Sequence, residues 1–115
     1  MIENVEGRIW YVGGSRGEYS DRTEWTVYWF DNEADAQAYC VRCEQACRDA
    51  AQRWDRFTDS QGGDYYQKQE DVDRFKQGLP DPYFDPSSYG AYDVSYGVGW
   101  LDRAPTTLHI HESQK

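Results

Sequence analysis

Between residues 8 and 30 the chain presents two runs of aromatic and β-branched residues, Ile-Trp-Tyr-Val and Trp-Thr-Val-Tyr-Trp-Phe, separated by a polar stretch. Such runs read as strands, at Arg8 to Val12 and Thr26 to Phe30. The twelve residues between them, Gly13 to Glu24, read as a loop much longer than a hairpin turn needs. Alternation in the second run predicts Trp25, Val27 and Trp29 on one face and Thr26, Tyr28 and Phe30 on the other. Neither face is plainly polar.

The period then changes. Ala36, Tyr39, Cys40, Cys43, Cys47, Ala50, Ala51, Trp54 and Phe57 recur in steps of three and four. That spacing predicts one long helix to about Phe57, with a single stripe facing a sheet. Asp31 or Asn32 is placed to cap it, and Glu33 and Asp35 suit its first turn. Residues 58–66 have loop composition. Gln69 to Gln77 predicts a short second helix carrying Val72 and Phe75, stopped by Gly78 and Pro80. Three prolines make Leu79 to Tyr92 an irregular loop. Tyr92 to Trp100 alternates again, and Thr106 to His111 reads as a last strand. The expectation is an α+β fold, a single domain over residues 1–115. It has an antiparallel sheet of about four strands in the order β-β-α-(α)-β-β, with the long helix on one face.

A chain of 115 residues has room for one core. The net charge of −9 is uneven: residues 59–102 hold nine acidic and three basic side chains, against eleven and seven in residues 1–58. Direct binding to nucleic acid needs a basic stripe, so a phosphate backbone is an unsuitable ligand. Two partner classes fit this charge: basic protein surfaces, a ribonucleoprotein complex with one among them, and cations. No apolar run reaches the ~20 residues of a membrane span. The acidic start Met-Ile-Glu-Asn-Val-Glu does not read as a signal peptide. A cytoplasmic location is therefore expected, in line with three cysteines crowded into eight residues and too few for a disulfide framework.

Candidate chemistry is sparse. Cys40, Cys43 and Cys47 share a helix face, with His109 or His111 as a conceivable fourth metal ligand. Zinc cysteines usually sit on turns, where sulfurs converge, whereas this face is the one expected to be buried. Core packing is the reading adopted, with no metal and no cofactor. His109 and His111 share a strand face near the chain end and read as an exposed pair. The carboxylates Glu70, Asp71, Asp73, Asp81 and Asp85 do not reproduce an EF-hand spacing. Gly13-Gly14-Ser15-Arg16-Gly17 lacks the Lys-Ser/Thr ending of a phosphate loop. No catalytic residue is assigned.

Tyrosine beside charge is the composition of a contact surface. Arg16, Glu18, Tyr19, Asp21 and Arg22 supply it in the first loop, Asp64 and Tyr65 in the middle one, and Asp81, Asp85 and Tyr89 in the third. These ten residues are the candidate partner-binding set.

The segment Gly17-Glu18-Tyr19-Ser20-Asp21-Arg22-Thr23-Glu24-Trp25, followed by Val27, Phe30, Glu33 and Ala36, resembles a family of small bacteriophage and prophage proteins. Asp81-Pro82-Tyr83-Phe84-Asp85-Pro86, with Tyr96 beyond it, is similar to that family's Pro-Tyr-Asp segment. The resemblance covers about half the chain in pieces and implies a phage origin more than a mechanism; the cysteine-bearing helix departs from it. Together with the charge it implies a viral inhibitor of host defence, anti-CRISPR proteins being one such class. Such an inhibitor would occupy a basic nucleic-acid-binding surface by protein–protein interaction. A small enzyme or ligand-binding domain using a pocket between the three loops is the alternative. A phage accessory protein forming a homodimer through an aromatic strand edge is the further one.

Overall fold

A computed structural model describes residues 7–17 and 19–102, with backbone alone at Tyr19 and Asp64. It is an α+β fold. Strands β1 (Arg8–Arg16), β2 (Thr23–Phe30) and β3 (Ser95–Asp102) form an antiparallel sheet in the order β2-β1-β3. Helices α1 (Glu33–Ser60) and α2 (Gln69–Lys76) lie between β2 and β3 in the chain. The described sheet thus has three strands where about four are expected. The predicted strand at Thr106 to His111, with both histidines, lies outside the described residues.

The central strand is β1, with Val12 wholly buried at its middle. Helix α1 lays its predicted stripe on one sheet face: Ala36, Cys40 and Cys43 pack with Trp10, Val12 and Val27. Farther along, Cys47, Ala50 and Ala51 pack with Phe84 and Ala91. Small side chains on α1 let its axis approach the sheet closely enough for the rings of β1 and β2 to close the gaps. The Asn32 side chain caps α1 by accepting from the Asp35 amide at 2.8 Å. At ~1.5 Å per residue its 28 residues span about 42 Å, more than the sheet can cover. The molecule is accordingly long, 58 × 30 × 24 Å. At the far end Trp54 and Phe57 meet Phe75 of α2 and Tyr65 of the preceding segment, with ring centroids 5.2 to 6.1 Å apart.

Two expectations about the first hairpin need correcting. The loop is Gly17 to Arg22, not Gly13 to Glu24, because Gly13-Gly14-Ser15-Arg16 continues the central strand, Gly13 to Ser15 pairing on both sides and Arg16 with Thr23 alone. Gly14 serves packing there: a Cβ on it would fall 2.5 Å from the Trp25 indole. The turn itself is made at Gly17, whose φ of +87° suits glycine. The strict alternation in β2 also fails. A β-bulge shifts the register between Val12 and Gly13, leaving Val27 without a counterpart. Trp25 and Val27 therefore keep to the helix side, while Trp29 turns to the opposite face beside Tyr11, 5.2 Å away. Phe30, expected outside, packs on the core. Strand β3 begins at Ser95, and Tyr92 sits in a short 3-10 turn before it, not in the strand.

Candidate functional site: a loop pinned over the sheet end

Residues 77–94 contain almost no regular structure, yet they are tightly held. The holding group is Asp81, 1% exposed. Its Oδ2 accepts from Trp25 Nε1 of β2 at 3.0 Å and from the Tyr96 hydroxyl of β3 at 2.7 Å. Its Oδ1 accepts from the Tyr83 amide at 2.9 Å, closing a local turn. The neighbouring Pro80 carbonyl accepts from the Tyr39 hydroxyl of α1 at 2.6 Å. One loop is thus tied to both edge strands and to the long helix. A buried carboxylate is tolerated only when its oxygens are bonded, and here three directional donors converge on it.

The carboxylate marks its surroundings electrically. Burial raises the Tyr96 hydroxyl, with Cys47 and Asp81 adding to it, so the phenol stays protonated and donates. Cys47 Sγ lies 3.3 Å from that hydroxyl. Burial also raises all three thiols, Cys43 to about 12, with the other thiols and Asp81 reinforcing it at Cys43. Protonated, buried thiols at helical spacing act here as small apolar groups, the packing role read from their spacing. Among the described residues no cluster of three or more His, Cys, Asp or Glu is arranged for a metal ion.

Beyond Asp81 the loop faces outward. Phe84 and Pro86 are buried, whereas Tyr83 is 66% exposed and Tyr89 fully exposed. Asp85 stabilises the turn between them, accepting from the Ser87 amide at 2.9 Å and the Ser87 hydroxyl at 2.7 Å. The first hairpin reaches the same place: Arg16 donates to the Ser88 hydroxyl at 3.4 Å. Arg16, Thr23 and Trp25 from the hairpin and Tyr83, Asp85 and Ser88 from the loop line a cleft of about 370 Å³.

The ten predicted contact residues therefore divide. Arg16 and Asp85 line this cleft, and Tyr89 is exposed on the same loop. Arg22 pairs with Glu24 at 2.7 Å on the exposed hairpin, and Asp21 is exposed beside it. Asp81 is corrected: it is interior, its oxygens are occupied, and it builds the surface without belonging to it. Tyr65 is half-buried, edge-to-face with Trp54 and Phe57 and with its hydroxyl 3.2 Å from Asp71, so it packs the far end of α1. Among the described residues the cleft joins strand residues at the base of the first hairpin, Arg16, Thr23 and Trp25, to the third loop. Glu18 and the side chains of Tyr19 and Asp64 lie outside what is described. Tyr83, in the same Asp-Pro-Tyr-Phe-Asp-Pro run as Asp81 and Asp85, lines the cleft and is exposed. Among the described residues no helix is long and apolar enough to cross a membrane.

No protein-family model, curated protein or solved structure matches this chain.

Proposed function

We propose that this is a binding protein that docks on a basic, nucleic-acid-binding surface of a host protein complex, as a phage-encoded inhibitor of defence would. The observation that carries this reading is the pinned loop. A segment with little regular structure is fixed by a buried carboxylate and the part-buried Tyr96 hydroxyl, yet projects Tyr83 and Tyr89 into solvent. Exposed rings on a rigid loop contribute contact area at small entropic cost and are favoured anchors in interfaces. The net charge of −9 supplies attraction toward a basic face, chiefly as a faster approach at low ionic strength.

The test compares wild-type protein with a Tyr83→Ala/Tyr89→Ala variant as immobilised bait in bacterial lysate. Wild type should retain a nucleic-acid-binding complex, short duplex DNA or RNA should displace it, and the double variant should lose it. Retention of no nucleic-acid-binding partner, equal retention by both baits, or indifference to added nucleic acid would each contradict the proposal.

A further inference from the structure

The sheet face away from α1 is covered by no described element. Its middle is a trough of about 520 Å³ that shares only Trp25 with the loop cleft. The floor is Gly13, Gly97 and Gly99, brought side by side by the β1–β3 register. Tyr11 lies across Gly99, where a Cβ would come within 2.5 Å of its hydroxyl oxygen. The Trp29 ring stands beside it, centroids 5.2 Å apart and tilted by 57°. The bulge in the β1–β2 ladder puts Trp29 on this face; strict alternation would have placed it against the helix. Among the described residues neither the Trp29 Nε1 nor the Tyr11 hydroxyl has a hydrogen-bond partner. Among the described residues the charged ones of the trough are Arg22 and Glu24, which pair at 2.7 Å.

We infer that this trough binds a proline-rich segment of a partner protein in the polyproline II conformation. Three properties select that occupant. Such a helix has no internal hydrogen bonds, so its carbonyls need outside donors, and the Trp29 indole and the Tyr11 phenol belong to side chains that line the trough. Proline rings are apolar and uncharged, matching a trough without net charge on a chain that carries −9. Aromatic-lined grooves are the general receptor for this conformation, which arrives already ordered and loses little entropy on binding. The length also fits. Tyr11 to Ser15 covers about 13 Å of strand, the reach of about four residues at ~3.1 Å each in a polyproline II helix. An added β-strand would instead seek an edge, and a basic peptide would find no unpaired acid in the trough.

The structure also supplies a clean disruption. A Cβ on Gly97 meets nothing within 4 Å. Gly97→Val is therefore compatible with the fold and with strand preference, while raising a branched side chain from the trough floor. The experiment titrates full-length 15N-labelled protein with a blocked decamer of proline, following backbone amides and indole N–H signals. Saturable shifts are expected at the Trp29 indole and at Gly13, Gly97 and Gly99. Gly97→Val should abolish them with the melting temperature kept or raised. Trp29→Phe, which keeps a ring but removes the donor, should weaken binding about five-fold. Absence of saturable shifts, unchanged binding by folded Gly97→Val, or equal binding of a Gly-Ser decamer would overturn the inference. So would a concentration-dependent dimer in which this face is already occupied by a second copy. Because Tyr83 and Tyr89 lie elsewhere, their double variant should bind the decamer normally.

Discussion

Two irregular segments flank α2, and they are held by opposite means. Residues 61–68 rest mainly on rings: Tyr65 against Trp54 and Phe57, with its hydroxyl donating to Asp71 and accepting from the Lys68 amide. Residues 77–94 are held by Asp81, whose carboxylate ties the loop to β2, β3 and its own backbone. Ring packing is tolerant of direction and mainly supplies stability. Three converging hydrogen bonds fix position, and lose most of their worth if any partner moves. The difference teaches how a ring comes to be aimed: both segments expose tyrosine, Tyr66 in one and Tyr83 and Tyr89 in the other, but only the second is fixed by hydrogen bonds converging on a buried carboxylate.

The largest expected effect is at the packed end. Trp54→Ala should cost about 3–5 kcal/mol by opening a cavity beneath α2, read by chemical denaturation, while protein that remains folded keeps its partner binding. Asp81→Ala should cost about 3–4 kcal/mol, since three part-buried donors lose their acceptor, and it should abolish binding even where the fold persists. If Asp81→Ala behaved like Trp54→Ala, with binding per folded molecule retained, the contrast between the two segments would collapse.

A smaller effect concerns the thiols between these regions. Burial raises Cys40, Cys43 and Cys47, so the folded state holds their protons above the pH at which the unfolded chain releases them. Their contribution is complete below the unfolded thiol value near 9 and is lost as pH rises toward about 12, the value for Cys43. Stability should therefore fall with rising pH across that window, and Cys43→Ala should flatten the slope in denaturation series at stepped pH. Smallest of all, Tyr83→Ala/Tyr89→Ala should change stability by no more than about 0.5 kcal/mol, measured alongside the capture assay.

Much of the scaffold was legible from the chain. The α1 stripe is visible because a helix repeats every 3.6 residues regardless of tertiary detail, and every residue it buries is among those the pattern marks. The cysteines follow from the same stripe. What was not legible depends on partners distant in sequence. Gly13-Gly14 has the local look of a turn, and only the Trp25 ring lying over Gly14 makes it a strand. The bulge opposite Val12/Gly13 carries no signal in β2 itself, so the side taken by Trp29 could not be read. Asp81 sits in an acidic, proline-rich run that reads as solvated; its donors are 56 and 15 residues away. The cleft likewise joins Arg16 to Ser88, 72 residues apart.

The central claim is that the recognition loop is preformed, held in place by Asp81 before any partner arrives. Backbone 15N relaxation on the unbound protein tests it most directly. Amides from Tyr83 to Tyr89 are expected to show order parameters at the sheet's level, about 0.85, and to drop in Asp81→Asn. Values below about 0.6 in the wild-type loop, or no change on substituting Asp81, would contradict the account.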